Sequence, residues 1–233
     1  MNTESFDERG FAMIDNAFEN QAIERLTEQL SRLDFGESAK RRSAVAFGVR
    51  NLLNVAPFVK DFSESDSVRK IIEPIAGENV RVVRAIYFDK TTEANWKVPF
   101  HQDLTITVKE RKDVDGFVSW TTKASIWHVQ PPTSVIENIL ALRVHLDDAD
   151  ESNGALRVIA GSHNFGRLGA EQIEKFKLTG EIVTCPMPKN GAMLLRPLLL
   201  HASSAATNAS HRRVVHFEFS AAELPGNLEW FGS

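Results

Sequence analysis

Residues 140–159 read LALRVHLDDADESNGALRVI. Two apolar runs, 140–146 and 156–159, flank a polar turn holding Asn153-Gly154, a strong β-hairpin signal. The same texture extends outward from this stretch. Short apolar-rich runs lie at 80–88, 100–108, 126–129, 181–185, 192–195 and 214–219, with turn residues between them. About eight short strands spaced in this way predict a sandwich or barrel. Upstream of residue 80 the spacing changes. Ile23, Leu26, Leu30 and Leu33 recur at helical intervals and predict a helix starting at Asn16 or Glu19, running through Leu33 and closed by Phe35-Gly36. Val68, Ile71, Ile72 and Ile75 predict a second helix over 65–75, with Pro74 unsettling its last turn. A short helical segment is expected near 170–176. The expected fold class is mainly β with flanking α: a jelly roll with N-terminal helices packed on one face. One domain, 1–233, would comprise a mostly helical part, 1–79, and a jelly-roll core, 80–233.

Composition bounds the function classes. The chain has 233 residues, 42% hydrophobic and 25% charged, with a formal net charge of −4. These are ordinary globular values and exclude disorder or a coiled coil as the main state. A pI near 6.0 gives no general electrostatic reason to bind nucleic acid or an anionic membrane. No apolar run approaches the ~18–20 residues that cross a bilayer. The acidic, polar start lacks a secretory signal pattern, and Cys185 is the lone cysteine. Both point to a reducing cytoplasm. Oligomeric state is left open.

Chemistry concentrates at Phe100-His101-Gln102-Asp103-Leu104. On a strand, residues i and i+2 share a face, so His101 and Asp103 can reach toward one point. Imidazole plus carboxylate is two-thirds of a facial triad. The candidate third ligand is His201, which ends the run from Gly191 through a Pro197 bend. A jelly roll can bring such distant strands together. Two His and one carboxylate leave adjacent octahedral positions open, which non-haem Fe(II) uses for a chelating cosubstrate and O₂. A cosubstrate with a free carboxylate, such as 2-oxoglutarate, needs a cation at its far end. Arg supplies a bidentate fork. Arg212 shares a face with His216 and Glu218, and Arg213 shares one with Val215, Phe217 and Phe219. Arg212 is therefore the cavity candidate, with Ser203 as a supporting hydroxyl.

These residues resemble the phytanoyl-CoA dioxygenase family of Fe(II)- and 2-oxoglutarate-dependent oxygenases. The resemblance runs through Gly10-Phe11-Ala12-Met13-Ile14-Asp15-Asn16, His101-Gln102-Asp103-Leu104, Leu146-Asp147-Asp148, Asn153-Gly154-Ala155-Leu156, Gly161-Ser162-His163 and His201-Ala202-Ser203, and ends at Arg212. It implies a cupin-like double-stranded β-helix. It implies that His101, Asp103 and His201 hold iron, that Arg212 pairs with the distal carboxylate of 2-oxoglutarate, and that Ser203 supports it. Lys90 falls where family members can place a cosubstrate-contacting Lys; a solvent-exposed Lys90 is the alternative. Where family members can carry a cosubstrate-contacting Trp, this chain has Arg143. Related halogenases have a small residue at the position of Asp103, so the carboxylate implies hydroxylation of an unactivated C–H bond in a small molecule, with release of succinate and CO₂.

Other residues are weighed beside this reading. Arg143 and His145 share a strand face; both are substrate candidates and, if buried, need partners. His128 is expected to be a hydrogen-bonded structural residue. His163 is expected to order a loop, His211 to be exposed and Cys185 to pack inertly. The segment 107–125 reads as a long loop, either a lid over the iron with Trp120 shielding the site, or a surface loop. Lys40-Arg41-Arg42 reads as a solvated cluster or as contacts for an acidic ligand. Two rival functions remain: a non-catalytic jelly-roll protein that binds a metal or ligand, and a cupin-type metalloenzyme that does not use 2-oxoglutarate. Arg212 with Ser203 argues against both.

Overall fold

The computed structural model describes residues 3–34, 39–42, 45–91, 95–207 and 211–232. Its largest sheet has seven antiparallel strands. In spatial order they are β1 (Phe11–Ile14), β12 (Ala192–Leu195), β9 (Ile139–His145), β14 (Arg212–Ser220), β4 (Arg81–Lys90), β3 (Val45–Val49) and β2 (Ala39–Arg42). Facing it is a four-stranded antiparallel sheet: β11 (Ile182–Cys185), β10 (Leu156–Ile159), β13 (His201–Ser203) and β5 (Val98–His101). A smaller sheet of β6 (Ile106–Val108), β8 (Ile126–Gln130) and β7 (Val118–Lys123) completes the β structure.

The two-residue period of a strand sorts the large sheet into two faces. On the outer face, Val215, Phe217 and Phe219 of β14 join Leu140, Leu142 and Val144 of β9 and Ala192 and Leu194 of β12 in the main core. The helices α2 (Asn20–Ser31) and α5 (Asp66–Ala76) cover this face. They insert Ile23, Leu26 and Leu30, and Val68 and Ile72, respectively. Each such side chain contributes about 1.5–3 kcal/mol on burial. The inner face carries the polar residues of the same strands, so one alternation builds both the core and the site.

The Pro74 doubt resolves simply. The helix runs through it to Ala76, and Gly77 at φ +82° ends it by donating to the Glu73 carbonyl. The N-terminal part is less exclusively helical than expected. Beside α1 (Thr3–Arg9), α3 (Leu52–Val55) and α4 (Pro57–Ser63), it supplies β1, β2 and β3 to the large sheet. Phe35-Gly36 and the side chains of Lys40, Arg41 and Arg42 lie outside the described residues.

Two expectations are corrected. Asn153-Gly154 does not close a hairpin. β9 pairs with β12 and β14, whereas β10 pairs with β11 and β13, so the turn carries the chain from one sheet to the other. Side chains hold it: Asn153 Oδ1 accepts from the Asp150 N–H at 2.9 Å and Nδ2 donates to the Asp148 carbonyl at 2.8 Å. Segment 107–125 is not one long loop. β7 and β8 form a hairpin turning at Ala124-Ser125, both with positive φ. Phe117, Val129, Ile106 and Val108 pack with Leu228 and Trp230 in a satellite core. The short helix α6 (Thr133–Glu137) precedes β9, and α7 (Ala170–Thr179) precedes β11. Among the described residues, no helix is long and apolar enough to cross a membrane.

Candidate active site

A cavity of about 190 Å³ opens between the two sheets. One wall is the inner face of the large sheet, with Arg84, Ile86 and Phe88 of β4, Arg212, His216 and Glu218 of β14, and Arg143 of β9. The other wall is the small sheet with its loops, carrying Trp96, Val98, His101, Asp103, Leu156, His201 and Ser203.

His101 and His201 are directly opposed across the antiparallel pair β5–β13, with ring centroids 4.2 Å apart. Each Nδ1 faces the carbonyl two residues back, Pro99 or Leu199, at 2.9 Å. A carbonyl only accepts, so Nδ1 carries the hydrogen, which leaves Nε2 as the nitrogen that can offer a lone pair to a metal. Asp103 follows β5 and is pinned by its N–H to the Pro197 carbonyl at 2.9 Å. Its oxygens lie 3.9 Å from His101 Nε2 and 3.5 Å from His201 Nε2. Among the described residues, these three form the group whose ligand atoms, all within 4.8 Å of one another, could hold one metal ion. Burial raises the Asp103 carboxyl, but His201, His216, His101 and Arg84 together hold it at about 2. Burial pushes the His201 imidazole down to about 4, against the pull of Asp103. An ionised Asp103 and a neutral His201 are the protonation states that ligation requires of these two groups. The intervening Gln102 points away. Its Nε2 donates to the Gly166 and Leu198 carbonyls and its Oε1 accepts from the Leu168 N–H, which fixes the strand between the two candidate ligands.

The far end of the cavity is cationic. Arg212 is 3% exposed, its Nε has no hydrogen-bond partner, and it forms no ion pair among the described residues. Burial lowers its guanidinium to about 10, partly offset by Asp89. Its neighbour Arg213 faces away and grips Asp147 at 2.7 and 2.6 Å. Lys90 is not exposed: at 1% exposure it lies just behind the lining, opposite Arg212 in the β4–β14 register. It donates to Ser203 Oγ at 2.9 Å and to the Ser204 carbonyl at 2.6 Å, and sits 5.4 Å from the Trp96 ring centre. Burial, then Arg212 and Arg143, lowers its amine to about 7. Ser203 Oγ in turn donates to the Gly154 carbonyl at 2.8 Å.

This explains Gly154. It has φ +82°, and a Cβ there would lie 2.5 Å from the Ser204 carbonyl oxygen and 3.0 Å from Lys90 Nζ. Gly154→Ala is expected to cost about 1–3 kcal/mol of stability, from backbone strain and displacement of the Lys90–Ser203 contact. Chemical denaturation checks it; an unchanged midpoint would show that the turn relaxes freely.

Other candidates divide. Arg143 lines the cavity, 7% exposed, with Nη1 3.4 Å from His216 Nδ1 and its Nε without a partner among the described residues. His145 does not line it. His145 is buried, both ring nitrogens lack a partner among the described residues, and burial, then Arg143 and Arg212, push its imidazole well down. Trp120 is outside the cavity lining. It packs edge-on against Trp127 at 6.3 Å and donates to the Phe117 carbonyl. His128 is buried, but its ring nitrogens make no hydrogen bond among the described residues, contrary to expectation. His163 ties its loop to the Asp7 carbonyl at 3.0 Å. His211 is exposed and pairs with Asp89. Burial pushes the Cys185 thiol up to about 12, away from nucleophilic use. Arg84, Phe88 and Trp96 also line the cavity and are not among the candidates read from the sequence. Arg84 pairs with Glu218 at 3.0 Å inside the cavity. Extending the two-residue alternation back from Lys90 along β4 would have found Arg84 and Phe88; nothing local marks Trp96.

Known proteins bear on this geometry. A curated relative, phytanoyl-CoA dioxygenase domain-containing protein 1 of Danio rerio, is 26% identical over 188 residues, covering 75% of this chain and 55% of that protein. The chain thus spans about half the length of that relative. Among solved structures, AviO1 from Streptomyces viridochromogenes Tue57 superposes with TM-score 0.68 at 22% identity, covering 96% of this chain and 93% of that one. EctD from S. alaskensis, solved with 2-oxoglutarate and 5-hydroxyectoine, gives 0.70 at 15% identity, covering 93% and 74%. HygX from Streptomyces hygroscopicus, solved with nickel and 2-oxoglutarate, gives 0.65 at 17% identity, covering 94% and 87%. At these identities the structures establish the shared jelly-roll fold. The sequence model of phytanoyl-CoA dioxygenase (PhyH) matches residues 6–214, and the chain belongs to that family.

Proposed function

We propose that this family member is a non-haem Fe(II)- and 2-oxoglutarate-dependent oxygenase that hydroxylates an unactivated C–H bond of a small molecule. Its iron would be held by His101, Asp103 and His201. One observation carries the reading: three converging ligand atoms and a buried guanidinium, Arg212, with no ion-pair partner among the described residues, share one cavity. A buried, unpaired charge costs free energy unless a ligand compensates it. A dicarboxylate that chelates the metal at one end and pairs with Arg212 at the other meets both requirements.

When bound, Fe(II) and 2-oxoglutarate supply the O₂ chemistry that oxidises the C–H bond and converts the cosubstrate to succinate and CO₂. The protein supplies the rest. The Pro99 and Leu199 carbonyls orient the two imidazoles, as outer partners do in metal sites. Asp103 contributes one negative charge and faces open cavity space. Arg212 fixes the distal carboxylate and so the direction in which the cosubstrate lies. Ser203 and Lys90 back it, and Ile86, Phe88, Val98 and Leu156 keep water out of the space where substrate meets the metal.

Calorimetric titration of Ni(II)-loaded protein with 2-oxoglutarate tests this reading. Saturable binding that fails in Arg212→Met supports it; no binding to folded, metal-loaded wild type overturns it. The titration also reports on Lys90. Its free amine titrates near 7, so above that pH it is mostly neutral. An arriving carboxylate favours the ammonium form. Binding at about pH 8 is therefore expected to take up most of a proton, and affinity to fall as pH rises above about 7. Buffers of different ionisation enthalpy measure the uptake. It should vanish in Lys90→Met; uptake unchanged in that variant would place the proton elsewhere.

A further inference from the structure

Arg143 is left over when the charges of the proposed site are matched. This inference rests on the oxygenase reading. The two positive charges of Fe(II) and the one on Arg212 are balanced by Asp103 and the two carboxylates of 2-oxoglutarate. Arg84 is balanced by Glu218 at 3.0 Å. Lys90 lies behind the lining at the cosubstrate end, where it donates to Ser203 Oγ and the Ser204 carbonyl. Arg143 has no counter-charge among the described residues.

Its protein contacts leave its charge without a counter-ion among the described residues. Its contacts are His216 Nδ1 at 3.4 Å and the Phe88 ring, whose centre is 5.9 Å away. The first contact is to an imidazole nitrogen and the second to a ring face, so neither brings a negative charge. Arg143 pairs with His216 in the β9–β14 register, four residues along β14 from Arg212. The two guanidinium side chains are thus rooted about 13 Å apart along the sheet. Both line one cavity, and Arg143 is rooted in the row nearer Glu218 and Arg84. The same lining includes the apolar side chains Ile86, Phe88, Val98 and Leu156.

We propose that Arg143 anchors an anionic group on the substrate, a carboxylate or a phosphate, and that the enzyme acts on a small anion with an apolar body. A buried guanidinium holding such a group fixes which carbon is presented to the metal. Arg143 is then a specificity-determining residue for the reaction.

The test uses protein loaded with Ni(II) and 2-oxoglutarate and three probes: benzoate, phenyl phosphate and the uncharged benzamide. Affinity for 2-oxoglutarate is measured first for every variant. Wild type is expected to bind benzoate or phenyl phosphate about tenfold or more tighter than benzamide, and the preferred probe identifies the anion. Arg143→Met should erase that preference while 2-oxoglutarate affinity stays within about threefold, which also shows that the variant is folded. Arg143→Lys, which keeps the charge, should restore part of it. A wild type that does not prefer the charged probes, or a preference that survives in Arg143→Met, overturns the proposal. A loss of 2-oxoglutarate binding in Arg143→Met as large as in Arg212→Met also overturns it, by assigning Arg143 to the cosubstrate. Wild type that fails to bind 2-oxoglutarate overturns the oxygenase reading and this inference with it.

Discussion

Methionine in place of Arg212 is expected to weaken 2-oxoglutarate binding by about 100-fold or more, and at the same time to raise the melting temperature of the cosubstrate-free protein. The two effects have one cause. Arg212 is 3% exposed, lacks a partner for Nε and forms no ion pair among the described residues. Its charge is therefore a burden in the free protein, and burial already lowers its guanidinium to about 10. Truncating one partner of a buried charge pair costs about 2–5 kcal/mol of binding, mostly through dissociation rate. Replacing an uncompensated buried charge with an apolar side chain of similar length removes a desolvation cost. Each kcal/mol gained should appear as about 2–4 °C in Tm for a chain of this size. Calorimetry for binding and a thermal melt of the same sample measure both. The contrast is Arg213→Met, which breaks the Asp147 contacts and should lower Tm while leaving 2-oxoglutarate affinity nearly unchanged. A melting temperature that falls in Arg212→Met would mean that Arg212 is a structural ion-pair partner.

His201→Ala is expected to lower turnover by about 10³-fold or more, equivalent to about 4 kcal/mol of activation free energy. His201 is 6% exposed and its Nε2 is one of three converging ligand atoms. With it gone, His101 and Asp103 offer only two ligands and no fixed facial geometry. The comparison is His163→Ala. His163 is also partly buried and also hydrogen-bonded to a backbone carbonyl, but it faces the N-terminal helix. That variant should lose about 1 kcal/mol of stability and little activity. Succinate release at saturating Fe(II) separates the two. Comparable losses in both would mean that the assay follows folding and not ligation.

How far the sequence carried can be judged from particular residues. The outer face of the large sheet was legible because Val215, Phe217 and Phe219 alternate with polar residues, and the alternation also separated Arg212 from Arg213. The helices α2 and α5 were legible from Ile23, Leu26, Leu30, Val68 and Ile72. Asn153-Gly154 misled, because the same dipeptide that makes a tight hairpin also tolerates the positive φ of a wider turn between sheets. Gly154 is required here by the close approach of Ser204 and Lys90, a long-range contact that no local pattern reveals. Segment 107–125 misled for a related reason. Its turn uses Ala124-Ser125, which carries none of the usual signals for positive φ. Trp120 was consequently placed at the iron, whereas its ring is taken up by Trp127. The burial of Lys90 and the isolation of Arg143 depend on partners from three strands, and pairing at that distance is not encoded in spacing.

Anaerobic titration of Fe(II)-loaded protein with 2-oxoglutarate, followed by visible absorption, tests the central claim most directly. The account predicts a weak metal-to-ligand charge-transfer band that saturates with the cosubstrate, is absent in His201→Ala and needs far more 2-oxoglutarate in Arg212→Met. A folded, Fe(II)-binding wild type that develops no band would contradict it.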